Sequence, residues 1–332
     1  MNSDSYPALS LGLTTGVPVK LAIELSGEAE NNNYHRIWIG DDILKEEVFT
    51  YTSIIANHTS RIGLGIAVVS PYAYHSFTIA SASATINELL NGKFILGLGV
   101  GGKVEIEKLT GIRPKDVVTK MRNTTIIIKK IFNGEKVSFE DRTEKLVGFS
   151  LPRPKYKTLV FYGVRGPKLL ALAGEIADGV IFSVPLSLLK ESIRITEESA
   201  ISYKRDPKLL RKVLWNGFIL SDNRKDIDLA KNVAVVIVSS LSESMLIKSK
   251  INLELSKIIS SEYMKNNIDA AKSYIDDDLI RKLCFFGSID EIKNEFSKLS
   301  RLGIDEVVIG PPYGSDPAKV IRTMNPNNLW RR

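Results

Sequence analysis

The sequence predicts an α/β fold of the (β/α)8 TIM-barrel class with insertions, and three observations lead to this prediction. Short apolar, β-branched runs alternate with longer amphipathic segments, a pattern typical of βαβ units and a parallel sheet. Eight such runs precede helical sequence, which is the number of strands that closes a barrel. The length of 332 residues also suits one barrel with added segments. A doubly wound open sheet is the alternative.

The predicted strands are short, and helical periodicity separates most of them. In chain order the strands are Leu9–Thr14, Arg36–Gly40, Ile62–Val69, Phe94–Gly99, Thr158–Gly163, Gly179–Ser183, Val213–Leu220 and Glu306–Ile309. The predicted helices are Val19–Ala29, Glu46–His58, Thr78–Leu90, Val117–Phe132, Pro167–Ile176, Ile289–Leu302 and Pro317–Thr323. Asn-Gly pairs, a first-turn proline and a following glycine mark several of these helix boundaries.

Two regions exceed a minimal barrel. Residues 134–154 are predicted to form a hairpin or loop insertion, and residues 222–284 are predicted to hold two or three extra helices. No internal repeat, low-complexity tract or linker divides the chain. Residues 1–332 are therefore predicted to form a single barrel domain with insertions at about 134–154 and 222–284.

The composition indicates an ordinary globular protein, with 44% hydrophobic and 25% charged residues. The net charge is +7, and the basic residues are spread along the chain without a basic-aromatic motif. This predicts a basic surface that attracts anionic cofactors and no nucleic-acid partner. No apolar stretch approaches the roughly 20 residues of a membrane span, and Met1–Leu9 lacks a signal pattern. A cytoplasmic location without a membrane partner is expected.

Cysteine and histidine usage predicts neither disulfides nor a metal site. Cys284 is the single cysteine and lies in the apolar run Leu283–Phe286, so it is predicted to be a small buried hydrophobe. The three histidines, His35, His58 and His75, are far apart in the sequence, and none has metal-ligand spacing.

The active site of a barrel lies at the carboxyl ends of its strands, so these ends supply the candidate site residues. The first candidate is the strand-five turn Gly163–Lys168. Its glycines let backbone approach a ligand, the helix that begins at Pro167 presents free N–H groups, and Arg165 can pair with a phosphate. The pattern favours a phosphate site over an ordinary turn.

Three further strand ends carry candidate residues. The strand-four turn Gly97–Gly102 is glycine-rich but lacks the P-loop pattern and a convincing Rossmann fingerprint. It predicts backbone against which a flat ring packs. Strand two ends at Asp41 and Asp42, for which helix capping and function both remain open. Asp41 is placed to bond a cofactor, and Asp42 to donate or orient a proton. Strand three is followed by His75, for which catalytic and structural roles are both open.

These four segments, in this order, resemble the bacterial luciferase-like superfamily. Within it they look most like the deazaflavin (coenzyme F420)-dependent methylenetetrahydromethanopterin reductases of archaea. The similarity covers nearly the whole chain, and its strongest parts are Gly163–Lys168, Leu172–Val180, Ile275–Ile280 with Gly287-Ser288, and Gly303–Pro312.

The resemblance implies a (β/α)8 barrel that forms homodimers or higher homo-oligomers and binds coenzyme F420. It implies that the strand-five turn binds the cofactor's phosphate through Gly163, Val164, Arg165 and Gly166. It also implies that the strand-four glycines Gly99 and Gly101 line the cofactor's tail. It also implies a non-prolyl cis peptide between Ala67 and Val68 behind the deazaflavin ring. Asp41 matches the aspartate of the family's Trp-Ile-Thr-Asp-His segment.

The sequence departs from this family pattern at several acidic or polar positions. Gly40 and Asp42 stand where the segment has threonine and histidine. Thr14 stands where the reductases carry a glutamate on the first strand, and Gly102 where an aspartate is expected. Two acidic groups near the reaction centre are thus missing from their usual positions, which weakens the inference about the substrate more than that about the cofactor.

Three functions follow from these observations. The first is an F420-dependent oxidoreductase that moves a hydride between deazaflavin and a small substrate, the best candidate being the methylene carbon of 5,10-methylenetetrahydromethanopterin or a related tetrahydropterin. Asp42, or Asp41 through a bound water, is then the candidate proton relay. The second is a luciferase-like monooxygenase that uses FMN. The third is a barrel that binds a cofactor or nucleic acid without catalysis.

Overall fold

The structure is a computed structural model and describes residues 6–141, 144–152, 154–220 and 224–329. The strands are β1 (Ala8–Thr14), β2 (Arg36–Gly40), β3 (Gly63–Val69), β4 (Phe94–Leu98), β5 (Val137–Glu140), β6 (Lys145–Phe149), β7 (Leu159–Gly163), β8 (Gly179–Phe182), β9 (Arg211–Trp215), β10 (Gly217–Leu220), β11 (Cys284–Gly287) and β12 (Glu306–Ile309).

Helices follow or separate these strands. They are α1 (Val19–Asn31), α2 (Val48–Asn57), α3 (Ser76–Leu89), α4 (Lys103–Thr110), α5 (Val117–Phe132), α6 (Pro167–Ile176), α7 (Leu186–Ser202), α8 (Arg224–Ser240), α9 (Glu243–Lys248), α10 (Leu253–Met264), α11 (Ile268–Lys272), α12 (Asp277–Leu283), α13 (Ile289–Arg301), α14 (Pro317–Thr323) and α15 (Pro326–Leu329). A 3-10 turn lies at Pro207–Leu209.

Eight strands close into a parallel barrel in the order β1-β12-β9-β8-β7-β4-β3-β2. The predicted (β/α)8 fold is therefore confirmed, and the open sheet is wrong. Large side chains fill the barrel interior, where Trp38, Ile95, Phe161, Ile181, Val213 and Val308 form one apolar cluster. A larger cluster joins the outer faces of the strands to the surrounding helices. This packed interior fixes the strand ends that carry the site residues.

One predicted strand, Val213–Leu220, is wrong as a single element. The chain breaks at Asn216, whose side-chain amide donates to the carbonyl of Val184 at 2.9 Å. Residues before the break form β9 in the barrel, whereas β10 leaves the barrel and pairs in parallel with β11. Helices α8 to α12 pack beside this pair around a second apolar cluster. The described part of residues 222–284 thus holds five helices, more than predicted.

The region 134–154 contains the antiparallel hairpin of β5 and β6, and its buried Glu144 attaches it to the barrel. The Glu144 carboxylate accepts hydrogen bonds from the backbone N–H and hydroxyl of Ser76, both at 2.7 Å. Lys120 donates to it from α5 at 3.2 Å. His75 lies 3.3 Å from the same carboxylate, and its ring accepts the N–H of Phe77 at the start of α3. His75 therefore has a structural position.

Three further expectations concern Cys284, metals and membranes. Cys284 is buried, and burial raises the pKa of its thiol to about 12. Among the described residues, no three His, Cys, Asp or Glu side chains gather where they could hold a metal ion. None of the helices in those residues combines the length and apolar character that a membrane crossing requires.

Candidate active site

A wall of backbone and one aliphatic side chain forms where β3, β4 and β7 end. A Cβ atom at Gly163 would lie 2.3 Å from Val68 Cγ1, and one at Gly99 would lie 2.4 Å from Val68 Cγ2. Both positions must therefore lack a side chain, because Val68 occupies the space. The peptide bond between Ala67 and Val68 is cis, as the resemblance implies. Gly99 and Gly163 leave space for the side chain of Val68, and this side chain forms the apolar wall.

Hydrogen bonds join the β3 and β4 turns behind this wall. The Ser70 hydroxyl donates to the carbonyl of Val100 at 2.7 Å, and the N–H of Gly99 donates to the carbonyl of Val69 at 3.1 Å. Gly101 has φ +78°, and a Cβ there would lie 2.9 Å from Ile43 Cδ1. The turn after β4 therefore contacts the segment that follows β2, which begins with Asp41. Val68, Gly99 and Gly101 thus belong to one continuous surface.

The turn after β7, which is the turn predicted after the fifth barrel strand, leads into a helix whose amino end is open. Val164 is buried, and Gly166 is the N-cap of α6 without a side-chain hydrogen bond to the cap. A Cβ placed on Gly166 would meet no atom within 4 Å. The first N–H groups of a helix are unpaired and carry the positive end of its dipole. Open space therefore lies beside an end of α6 that favours an anion.

Arg165 lies in this turn and is bonded to neutral partners. Its guanidinium donates to the hydroxyl of Ser240 at 2.8 Å and to that of Ser183 at 3.3 Å. Among the described residues no carboxylate pairs with it, and desolvation lowers its pKa. A desolvated guanidinium without a counter-charge favours binding of an anion. Arg165 and the end of α6 together offer the donors that a phosphate requires.

Asp41 is a carboxyl group held in an environment that favours its protonated form. It is partly buried, and its Oδ2 atom has no hydrogen-bond partner among the described residues. Burial raises the pKa of Asp41 to about 7, and the charges of Glu47 and Asp42 add to the rise. A carboxyl with this pKa can both give and accept a proton near neutrality.

Glu47 supplies part of that charge because it is fixed as an anion at the start of α2. Its carboxylate accepts the N–H groups of Phe49 at 3.0 Å and Thr50 at 2.7 Å. Although burial acts to raise the pKa of Glu47, these N–H groups bring it below its ordinary value. The Tyr74 hydroxyl donates to Glu47 at 3.3 Å, and burial raises the pKa of this phenol. The capping role considered for Asp41 and Asp42 thus belongs to Glu47.

Asp42 is exposed and turns toward the end of β1. Its backbone N–H donates to the hydroxyl of Thr15 at 3.0 Å. A Cβ at Gly16 would lie 2.8 Å from Asp42 Oδ2 and 3.6 Å from the Thr14 hydroxyl. The carboxylate of Asp42 therefore lies beside the segment where the resemblance implies a glutamate and the sequence has Thr14.

Glu105 has the corresponding position in the strand-four turn. A Cβ at Gly102 would lie 2.0 Å from Glu105 Oε2, so this carboxylate occupies the space into which a side chain at position 102 would extend. Gly102 is the N-cap of α4 and Glu105 lies in its first turn, where a negative charge is stabilised by the helix dipole. Carboxylates of Asp42 and Glu105 thus lie near the two positions at which the resemblance implies an acid and the sequence has Thr14 and Gly102.

Trp215, at the end of β9, closes the site from the barrel side. Its indole N–H donates to the carbonyl of Gly310 at 2.6 Å. Added Cβ atoms would lie 2.7 Å from the ring at Gly12 and 3.6 Å from it at Gly40. At position 40, where the family segment has threonine, an added Cβ would be in ordinary contact with Trp215, and its tightest neighbour would be Thr14 Cγ2 at 3.2 Å.

The structure brings most of the predicted residues to one end of the barrel, and it adds residues that the sequence analysis missed. The β2, β3 and β4 ends are in mutual contact, and the β7 turn joins them through Val68. Glu47, Tyr74, Ser183, Trp215 and Ser240 were missed. None belongs to a glycine-rich or acidic motif, and Ser240 lies on α8, in the region predicted only as extra helices. The roles of the predicted residues in binding and catalysis stay predictions.

These features define a class: a closed parallel barrel whose carboxyl end combines a valine wall seated on glycines, an open anion site and a carboxyl group that titrates near neutrality. A sequence model of the luciferase-like monooxygenase family matches residues 7–306. The chain therefore belongs to the luciferase-like monooxygenase family, as the sequence analysis predicted.

Curated relatives and solved structures extend this finding. The chain is 27% identical over 307 residues to the 5,10-methylenetetrahydromethanopterin reductase of Archaeoglobus fulgidus, covering 89% of this chain and 90% of that protein. The solved coenzyme F420-dependent tetrahydromethanopterin reductase of Methanopyrus kandleri matches with a TM-score of 0.87 and 23% identity, over 97% of this chain and 98% of that one. An F420-dependent secondary alcohol dehydrogenase matches with a TM-score of 0.82 and 16% identity, over 99% and 100% of the two chains. The two structural matches show a shared fold.

Proposed function

We propose that this protein is a coenzyme F420-dependent oxidoreductase that transfers a hydride between reduced deazaflavin and a small organic substrate. The observation that carries the proposal is Arg165, a partly buried guanidinium bonded to hydroxyl groups beside the open end of α6. The names of relatives support the choice of cofactor, because they include F420-dependent enzymes for different substrates. The best candidate substrate is 5,10-methylenetetrahydromethanopterin or a related tetrahydropterin, reduced to the 5-methyl form.

The residues fit a deazaflavin that carries a phosphate and a flat ring. The β7 turn would hold the phosphate through Arg165, Gly166 and the N–H groups of α6. The ring would lie against the wall that Val68 forms on Gly99 and Gly163. The Oδ2 atom of Asp41, which has no hydrogen-bond partner among the described residues, would have a polar group of the cofactor or substrate as its partner.

Each residue then has a physical task in the reaction. A bound reduced deazaflavin supplies the hydride, and the protein aligns the donor and acceptor and excludes water. Trp215 and Val68 form apolar boundaries on which two rings can stack. Asp41 holds a proton on its carboxyl group near neutral pH and exchanges it with the substrate. Asp41 is preferred to Asp42 as this proton carrier because Asp41 is the more buried group and its pKa is near 7.

Asp42 and Glu105 support a substrate of the tetrahydropterin kind. The family resemblance implies acidic groups on β1 and in the β4 turn, and these two carboxylates lie beside both places. Carboxylates accept hydrogen bonds from ring N–H and amino groups such as those of a pterin. Asp42 and Glu105 would therefore bind and orient the substrate, while Asp41 carries the proton.

The test is a fluorescence titration of the purified protein with coenzyme F420 and, in parallel, with FMN. Saturable F420 binding, followed by oxidation of reduced F420 with methylenetetrahydromethanopterin, is the expected result. Tight FMN binding with flavin-dependent oxygen consumption would favour a monooxygenase instead. The absence of binding by either cofactor would contradict the proposal and favour a barrel without catalysis.

The proposal includes two properties that rest on family resemblance and sequence composition. The protein would act in the cytoplasm, and it would form a homodimer or a higher homo-oligomer. Light scattering of the purified protein measures the second property directly. No nucleic acid or membrane partner is part of the proposal.

A further inference from the structure

A cavity lies at the end of the barrel opposite the candidate active site, where the strands begin. Its volume is about 490 Å³, which suits a small organic ligand. Its lining residues come from the starts of β2, β3, β4, β7 and β9 and from the segments before them. The side chains there are basic, with no Asp or Glu among the described lining residues: His35, Arg36, Arg61, Lys93, Lys157 and Arg211.

Arg36 lies at the inner end of this basic cavity and is buried. Its guanidinium donates to the carbonyls of Lys93 at 2.8 Å and Leu64 at 3.1 Å. Its Nε atom has no hydrogen-bond partner among the described residues. A Cβ at Gly63 would lie 2.8 Å from Arg36 Nη1. The absence of a side chain at Gly63 therefore gives the guanidinium the space it needs to reach its two carbonyl groups.

Glu306 is a buried carboxylate close to the inner bases of this group. Its Oε1 atom accepts hydrogen bonds from Ser10 and Trp38, both at 2.6 Å. Arg36, His35 and Arg211 each approach the carboxylate to 3.9 Å, which is beyond hydrogen-bond length. A single buried charge is thus shared among several bases and satisfies none of them fully.

The outer part of the cavity adds more positive than negative charge. Arg61, Lys93 and Lys157 are exposed. The ammonium group of Lys93 donates to the carbonyl of Arg61 at 2.8 Å, a contact that leaves its charge uncompensated. The nearby Glu30 carboxylate accepts the N–H groups of Ser60, Arg61 and Ile62, and its charge also interacts with Arg61. Five permanently charged bases are therefore among the described lining residues, with Glu306 near Arg36 and Arg211 and Glu30 near Arg61 as counter-charges.

We infer that this basic cavity binds a small phosphorylated molecule. A phosphate group is a compact dianion with several acceptor oxygens, and guanidinium and ammonium groups can donate to it from different sides. Arg36 and Arg211 would bind it from the inner side, and Lys93 and Lys157 from the outer side. The proposed deazaflavin site is at the other ends of the same strands, about 16 Å away for a five-residue strand, so both ligands can bind together.

The experiment is calorimetric titration of the full chain with inorganic phosphate, pyrophosphate and citrate at matched ionic strength. All three titrations are repeated in an Arg165→Ala background, so that anions bound at the α6 turn are not counted. Saturable pyrophosphate binding that survives Arg165→Ala is the expected result. Pyrophosphate binding that disappears with Arg165→Ala would place the anion in the cofactor site and overturn the inference, whatever the fate of F420 binding.

Matched variants locate the ligand. Arg211→Gln with Lys157→Gln should weaken pyrophosphate binding by about tenfold or more, the scale of a charge-assisted hydrogen bond. The control pair, Arg194→Gln with Lys155→Gln, removes the same charges from outside the cavity and should change the affinity less than about twofold. Lys157→Gln alone serves if the double variant is unstable, because Lys157 is exposed. Equal weakening in the test and control pairs, citrate binding as tight as that of pyrophosphate, or no saturable binding would each overturn the assignment.

Discussion

The two ends of the barrel arrange charge in opposite ways. At the carboxyl ends of the strands, Arg165 is bonded to neutral hydroxyls, and the titratable carboxyl of Asp41 lies on another strand. At the amino ends, several bases surround the single buried carboxylate of Glu306. The first arrangement keeps a guanidinium without a counter-charge among the described residues and a titratable carboxyl apart, and each is proposed to serve a separate role, one for the cofactor and one for the proton. The second pools positive charge in one cavity, as a site for an anion.

This difference shows at which end of the barrel a buried charge depends on an oppositely charged neighbour. Glu306 and Arg36 are both buried and close together, so removing either charge exposes the other to desolvation. Asp41 is only partly buried, and within the part of the chain that the structure describes its Oδ2 atom has no partner, so its removal breaks no ion pair there. Substitution of the charged site residues at the carboxyl end should therefore act mainly on activity and affinity, whereas removal of a buried charge of Glu306 or Arg36 at the amino end should act mainly on stability.

The largest expected effect is that of Asp41→Asn on turnover. Asparagine keeps the size of the side chain but cannot exchange a proton, so kcat/KM should fall by about 10²–10⁴-fold, the range of general acid–base catalysis. Steady-state oxidation of reduced F420 measures this. The matched control is Asp42→Asn, for which a smaller loss, seen mainly in KM, is expected. A larger loss with Asp42→Asn would transfer the proton role to Asp42.

The same variant has a predicted pH signature. Since the pKa of Asp41 is raised from 3.8 to about 7 in the folded protein, the folded state favours the protonated carboxyl. The associated stability is present below pH 4 and is lost as the pH rises through about 7. Thermal unfolding should therefore show wild type losing stability relative to Asp41→Asn between about pH 4 and 7. Parallel curves for the two proteins would show that Asp41 titrates normally.

Glu306→Gln tests the other end of the comparison. The substitution leaves Arg36 buried without its counter-charge, so the free energy of unfolding should fall by about 3–5 kcal/mol. Chemical denaturation gives this value. Glu198→Gln, in an exposed pair with Arg194 on α7, should change it by less than about 1 kcal/mol. If Glu306→Gln were as mild as the control, the bases at the amino end would not depend on Glu306.

Arg165→Ala acts at the carboxyl end on affinity. Loss of the guanidinium should weaken F420 binding by about 1.5–3 kcal/mol, because the bond lost is charge-assisted. The fluorescence titration measures this change. Lys168→Ala removes a charge from an exposed position of the same turn and should cost less than about 0.5 kcal/mol. Equal losses would mean that only the general positive charge of the turn matters.

The smallest expected effect is that of Gly163→Ala on stability. Its added methyl would meet Val68 Cγ1 at 2.3 Å, and the resulting overpacking should cost about 1–3 kcal/mol. Gly166→Ala meets no atom within 4 Å and should cost less than about 1 kcal/mol as a change of N-cap. Denaturation curves of the two variants make the comparison. If they lost stability equally, the Val68 wall would be free to move.

Much of the barrel could be predicted from the sequence because local residue patterns identify its strands. Runs such as Arg36–Gly40 and Glu306–Ile309 are apolar, short and bounded by turns, and both are strands with these limits. The break at Asn216 was missed although Asn216-Gly217 is a turn signal, because apolar and aromatic residues continue on both sides of it. A partner strand, β11, draws β10 out of the barrel, and such a long-range pairing has no local signal.

The candidate site could be predicted where a motif lies at a strand end, as at Asp41 and Gly163–Gly166. It could not be predicted where chemistry depends on distant neighbours. The pKa of Asp41 is set by burial and by Glu47, and the partner of Arg165 on α8 is Ser240. The basic cavity is a stronger case, since its lining runs from His35 to Arg211 and gathers only when the barrel closes.

The carboxylates of Asp42 and Glu105 have a consequence for how related sequences are compared. Each lies beside a position, Thr14 or Gly102, where the family resemblance implies an acid and this chain has none. Aligned column by column, the chain would be scored as having lost both acids. Superposed in space, it would be scored as having kept the negative charge while changing the loop that delivers it. A comparison of such chains should therefore include the spatial positions of carboxylates such as those of Asp42 and Glu105, and not only the aligned columns.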